Sequence, residues 1–91
     1  MTAQIHIPSS LRKFSGGQSV LRMPAEDSRP ILNWMAQDCP SLYYSITDEH
    51  GGLRPFVRLF VNKAMLSGTA ASAAQAQEGD VIDIVSAVAG G

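Results

Sequence analysis

Residues 54–61 read Arg54-Pro55-Phe56-Val57-Arg58-Leu59-Phe60-Val61. β-Branched and aromatic residues dominate from Phe56 onward, and their side chains sort onto two faces at a period of two, which predicts a strand. Val57, Leu59 and Val61 make one face; Phe56, Arg58 and Phe60 make the other. Residues 81–85, Val81-Ile82-Asp83-Ile84-Val85, divide in the same way, with Ile82 and Ile84 on one side and Val81, Asp83 and Val85 on the other. The aliphatic faces belong against a helix. The faces that carry phenylalanine, arginine and aspartate then point away from it.

The rest of the chain supplies that helix and the remaining strands. Asn62-Lys63 fits a hairpin turn into a short strand at Ala64–Leu66. Near the N-terminus, residues 3–7 alternate apolar and polar, with Ile5 and Ile7 inward, and Pro8 stops the strand. Gly16-Gly17 signals a turn, and residues 18–23 form a second strand ended by Pro24. Two registers are open there, one with Val20 inward and one with Leu21 and Met23 inward. A helix follows, capped by Asp27 or Ser28, with Pro30 in its first turn and a stripe of Ile31, Met35 and Cys39 flanked by Leu32 and Trp34. Pro40 closes it, and residues 41–53 read as a connection. The alanine-rich residues 67–79 favour a helical turn with little to bury, and Glu78-Gly79-Asp80 turns the chain into the last strand. Two hairpins flanking a helix that crosses the sheet predict an α+β domain of the β-grasp (ubiquitin-like) type. It has a mixed sheet of four to five strands packed on one main helix. The domain spans residues 1–85, and residues 86–91 form a flexible C-terminal Gly-Gly tail.

Composition agrees with one small domain. The chain has 91 residues, 45% of them apolar and 16% charged, against roughly 25% charged in an average soluble chain. That is too apolar for a disordered chain. A formal net charge of −1 argues against a nucleic-acid binder held by its overall charge. No apolar run approaches the roughly 18 residues of a membrane span, and the opening residues lack the pattern of a signal peptide, so a cytoplasmic protein with no membrane partner is expected.

Enzyme chemistry finds little support. The single cysteine excludes an internal disulfide, and His6, His50 and Cys39 lack metal-ligand spacing. Cys39 reads as a structural thiol on the helix stripe, His6 as a solvated strand residue, and Asp48-Glu49 as a solvated loop. Neither a phosphate-binding G-x-x-x-x-G-K-[ST] nor a G-x-G-x-x-G occurs, and no nucleophile–base–orienter set is visible. The expectation is a protein that is not itself an enzyme, with no bound cofactor and no metal site.

Two features remain. The outer face collects Phe56, Arg58, Phe60, Val81, Asp83 and Val85, and Arg58 and Asp83 are expected to pair across it. One reading covers Phe56 or Phe60 with the 41–53 connection; the other makes the face a partner interface, since exposed aromatics with an arginine are typical anchors. The second feature is the tail, Ala87, Val88, Ala89, Gly90 and Gly91, thin enough to thread a narrow channel. With Ser86 it reaches roughly 20 Å when extended.

The segment Gly79-Asp80-Val81-Ile82-Asp83-Ile84-Val85-Ser86-Ala87-Val88-Ala89-Gly90-Gly91 resembles the C-terminal signature of ubiquitin-like sulfur carriers. That family includes the molybdopterin-synthase small subunit, the thiamine sulfur carrier and the carrier paired with a cysteine synthase. Arg54–Asn62 is similar to their central strand and turn. Ile7-Pro8-Ser9-Ser10-Leu11-Arg12, followed by Gly16-Gly17-Gln18, is similar to the N-terminal hairpin of the cysteine-synthase-associated carrier. The resemblance implies that an E1-like adenylyltransferase/sulfurtransferase, using its own ATP and magnesium, joins Gly91 to AMP. A sulfur nucleophile then gives a Gly91 thiocarboxylate. It further implies a second partner, a sulfur-acceptor enzyme that makes cysteine or a sulfur-containing metabolite. Alternatives within the same fold are a protein modifier conjugated through Gly91 and a molybdopterin-synthase-type small subunit.

Overall fold

Ala3, Ile5 and Ile7 are buried while Thr2, Gln4 and His6 are half-exposed, as a strand with one covered face requires. These residues belong to β1 (Thr2–His6) and its continuation in a computed structural model that describes residues 1–86. The tail residues Ala87–Gly91 lie outside the described residues. Pro8 ends the extended run and leads into a 3-10 turn at Ser9–Phe14 that buries Leu11. Gly16 and Gly17 follow at φ 70° and 82°, where a Cβ would be strained. β2 (Val20–Pro24) then returns antiparallel to β1, with Ile5 opposite Leu21 and Ala3 opposite Met23. Directly opposed residues share a face, so Leu21 and Met23 are the inward pair.

α1 (Ile31–Asp38) buries Ile31, Leu32, Trp34 and Met35 of the expected stripe, whereas Cys39 falls just past the helix end as its C-cap and is only half-buried. Its start differs from expectation. Pro30 is the capping residue, with extended ψ, and no side chain caps the helix. Asp27 is drawn away because Arg29 donates both its backbone N–H and its guanidinium Nε to the carboxylate, each at 3.0 Å. Pro40 does not end helical structure either; it opens α2 (Pro40–Ile46), in the first-turn position where its missing N–H costs nothing. The expected 41–53 connection is therefore half helix. Leu42 and Ile46, four residues apart, are both fully buried, and only residues 47–53 are irregular.

β3 (Val57–Val61) turns directly into β4 (Ala64–Leu66). Asn62 and Lys63 stand at φ 50° and 73°, the paired left-handed conformation that matches strand twist in a two-residue hairpin. α3 (Gly68–Ala73) is short and buries Ala71. β5 (Val81–Ser86) runs one residue past its expected end.

The sheet order is β2-β1-β5-β3-β4. β5 lies parallel to β1 and antiparallel to β3. The helices cover one face, where Ile5, Met23, Leu59 and Ile82 meet Ile31, Met35, Leu42 and Ile46, all fully buried. Each such side chain contributes about 1.5–3 kcal/mol. This is the β-grasp arrangement expected from the sequence, with α2 as an added element. No helix among the described residues is long and apolar enough to cross a membrane.

Two outcomes follow from these local features. Replacing Lys63 by Gly should raise stability by about 1 kcal/mol in denaturant unfolding, because glycine removes the Cβ penalty at a left-handed position. The Arg29 side chain, then its backbone N–H, holds the Asp27 carboxyl at about 2, below its ordinary 3.8. A carboxyl depressed in the folded state stabilises fully above its unfolded value, and that contribution is lost as pH falls through the folded value. Melting temperatures of wild type and Asp27→Asn should therefore differ near neutral pH and converge as pH falls toward 2.

Candidate functional site

Strand register assembles the face opposite the helices. Val20 pairs with His6, His6 with Asp83, Asp83 with Phe60 and Phe60 with Met65, a continuous row across all five strands. One step towards the end of β5, Val85 lies opposite Arg58. One step the other way, Arg22, Gln4 and Val81 form a shorter row. Met65 is 56% exposed, Val85 42% and Phe56 38%, while Phe60, Val81 and Asp83 are half-buried. The residues singled out from the sequence thus share this face or its margin.

The expected Arg58–Asp83 pair does not form. Both side chains are on the predicted face, but the register offsets them by two residues, setting Arg58 against Val85 and Asp83 against Phe60. The Arg58 guanidinium instead donates to the carbonyls of Pro55 and Val57. Asp83 sits 3.4 Å from Nδ1 of His6, whose other ring nitrogen is 3.2 Å from the Gln4 side-chain oxygen. His6 is accordingly a member of the face, with its side chain partly open to solvent.

The two phenylalanines occupy different surroundings. Phe60 lines a shallow groove of about 430 Å³ with Pro8, Lys63, Asp83 and Val85. Phe56 lies beside Ser86 in a smaller groove of about 290 Å³ that Phe14 and Ser45 also line. Ser45 belongs to the 41–53 segment, so that segment reaches the margin of Phe56 yet leaves it more than a third exposed. Met65 and Lys63 were missed in the sequence. The signal was present, because a two-residue turn at Asn62-Lys63 necessarily sets Met65 opposite Phe60.

The remaining reactive side chains are structural. Cys39 is half-buried at the junction of α1 and α2, and burial, then the charge of Asp38, pushes its thiol above the ordinary 9.0. Such a thiol is a poor nucleophile. Asp48 accepts the backbone N–H groups of His50 and Gly52, which holds its carboxyl below the usual range and staples the loop. Among the described residues no three His, Cys, Asp or Glu side chains converge as a metal site would need. The tail positions Ala87, Val88, Ala89, Gly90 and Gly91 lie outside the described residues; the last described position is Ser86, opposite Val57.

Solved structures share this architecture. CysO from Mycobacterium tuberculosis superposes with a TM-score of 0.75 at 23% identity, covering 94% of this chain and 99% of that one. A chain of the Amycolatopsis orientalis BexX/CysO complex gives 0.73 at 24% identity, covering 98% of this chain and 99% of that one. SAMP1 from Haloferax volcanii gives 0.75 at 14% identity over the whole of both chains. No curated protein sequence matches this chain. The structural likenesses establish the β-grasp fold, and the sequence itself establishes the family, since the ThiS family profile matches residues 5–91. By that match over nearly its whole length, the chain belongs to the ThiS family, in keeping with its resemblance to ubiquitin-like sulfur carriers.

Proposed function

We propose that this protein carries sulfur on its C-terminal Gly91 and presents it to partner enzymes. One observation carries the reading: the family match runs through Gly91, and β5 leads the chain into that segment beside an exposed face bearing Phe56, Phe60, Val85 and Arg58. The globular body provides the docking surface, and the five residues after Ser86 extend at most about 18 Å into a partner's pocket.

The chemistry follows from the weakness of a carboxylate as an electrophile. An E1-like enzyme holds ATP and magnesium. The Gly91 carboxylate oxygen attacks the α-phosphorus, pyrophosphate leaves, and an acyl-adenylate forms. A hydrosulfide nucleophile then adds at the carbonyl carbon, AMP departs, and one proton is released, leaving a thiocarboxylate. Its sulfur is anionic near neutral pH and attacks the electrophilic carbon of the acceptor, whose activating group departs; water then cleaves the resulting thioester, returning the Gly91 carboxylate and leaving the sulfur on the acceptor. The acceptor in this reading is an activated precursor of cysteine or of another sulfur-containing metabolite. The carrier holds no cofactor of its own and supplies reach and docking. Gly90 and Gly91 have no Cβ, and a chain end without side chains is suited to a narrow channel.

The fold is shared by proteins named as modifiers, such as small archaeal modifier protein 1 of H. volcanii. Conjugation through Gly91 to lysine amines is therefore the competing outcome of the same activation step. Intact mass spectrometry of the protein co-produced with its E1-like enzyme separates the two. Sulfur carriage predicts replacement of one terminal oxygen by sulfur in the wild type and none when Gly91 is deleted. Isopeptide-linked adducts without that exchange would instead establish a modifier, and an unchanged terminus would refute activation.

A further inference from the structure

The groove at the end of β5 collects two cations. Lys13 is exposed, and its ammonium stands 5.3 Å from the centroid of the Phe14 ring, which lines that groove with Leu11, Arg54, Phe56 and Ser86. Among the described residues Lys13 makes no ion pair, and neither does Arg54. One terminal nitrogen of Arg54 donates to the Tyr44 carbonyl at 3.2 Å, and its Nε is buried with no hydrogen-bond partner among those residues. Asp48 feels the Arg54 charge, but the backbone N–H groups of His50 and Gly52 already hold its carboxylate. Buried donors in folded proteins are nearly always paired, so an orphan on a groove-lining residue points to an acceptor outside the described residues. The other cations are committed or distant. Arg12 donates to the Ile7 carbonyl, Arg29 to Asp27 and Asp38, and Arg58 to the carbonyls of Pro55 and Val57. Lys63 and Arg22 flank the opposite end of β5, since Asn62 donates to the Val81 carbonyl and Gln4 pairs with both Val81 and Arg22.

We propose that this groove is the seat of the chain's own residues 87–91, with the Gly91 carboxylate set between Lys13 and Arg54. Ser86 lines the groove and is the residue from which Ala87–Gly91 continue. Five residues span at most about 18 Å, which is ample for an end that starts in the same groove as both cations. Size fits as well. Only Val88 among the five has a side chain larger than a methyl group, and the groove holds about 290 Å³ between Leu11, Phe14 and Phe56. Charge is complementary: a terminal carboxylate meets an ammonium and a guanidinium beside an apolar wall, which strengthens the pairing. The seat does not depend on sulfur carriage or on activation of Gly91. A short tether supplies an effective concentration in the millimolar range, so a contact of about millimolar strength keeps the end seated roughly half of the time. A carboxylate from another molecule must reach the same concentration to compete. A partner that draws Gly91 into its own pocket must first lift it, at a cost of about twofold in apparent affinity. The seat is therefore a rest position and not a lock.

Treating the full-length chain with a carbodiimide, which joins a carboxylate to an amine in contact with it, tests the seat without any partner enzyme. The amines on offer are Lys13, Lys63 and the α-amine of Met1. Peptide mapping of the intramolecular product, lighter by one water, should find Gly91 joined to Lys13 at least about tenfold more often than to either other amine. Backbone amide spectra give a second readout. The Phe14 and Phe56 signals should differ between the full-length chain and one ending at Ser86. A synthetic peptide of residues 87–91, acetylated at its start, should restore them in the shortened chain at millimolar concentration, and the same peptide with an amidated end should not. Lys13→Glu, a change at an exposed position, should move the full-length signals to the shortened chain's values with the melting curve unchanged. Links spread evenly over the amines, links only between separate molecules, or Phe14 and Phe56 signals indifferent to residues 87–91 would each overturn the inference. So would amidated peptide or plain acetate acting as well as the acid peptide, or spectra unmoved by Lys13→Glu. No activating enzyme takes part, so failure here leaves sulfur carriage intact, and a Gly91 that an E1-like enzyme leaves unchanged does not touch the seat.

Discussion

β5 is bonded on both sides, parallel to β1 and antiparallel to β3, and the outer face of the sheet takes its composition from that double pairing. Ile82 and Ile84 are buried beneath the helices because the strand is central. The same alternation turns Val81, Asp83 and Val85 to the other side, where they join Phe60 and Arg58. A strand at the edge could not gather residues from two hairpins into one surface. A strand in the middle does so automatically, and it delivers the chain toward Gly91 from the middle of the sheet.

The two-faced strands were legible because period two is a local property. Val57-Arg58-Leu59-Phe60 sorts itself without knowledge of any neighbour, and so does Ile82-Asp83-Ile84. Pairing between distant strands is not local. Which residue of β5 meets Arg58 depends on how the whole sheet closes, and a shift of two residues preserves both faces while exchanging every cross-strand partner. That is why the face was correct and the Arg58–Asp83 pair was not.

Proline misled at Pro40 for a related reason. It is a stop signal for the helix before it and a start signal for the helix after it, and only Leu42 and Ile46 distinguish the cases. Two buried residues on one turn are too few to announce a helix until the core they fill is known. Met65, by contrast, was within reach of sequence reasoning, because the Asn62-Lys63 turn fixes the hairpin register. The tail was legible only as chemistry: small residues and a terminal Gly-Gly point to a use, and the family match runs through them.

The position of β5 has a consequence for biosynthesis. It is the last of the five strands to leave the ribosome, yet the halves β1–β2 and β3–β4 meet only through it. Until it inserts, a nascent chain holds two separate hairpins and no joined sheet. A copy cut short before residue 81 therefore lacks both the completed outer face of the sheet and Gly91. Under the proposed function, completion of the sheet and availability of Gly91 would then be one event, because the same last strand brings both.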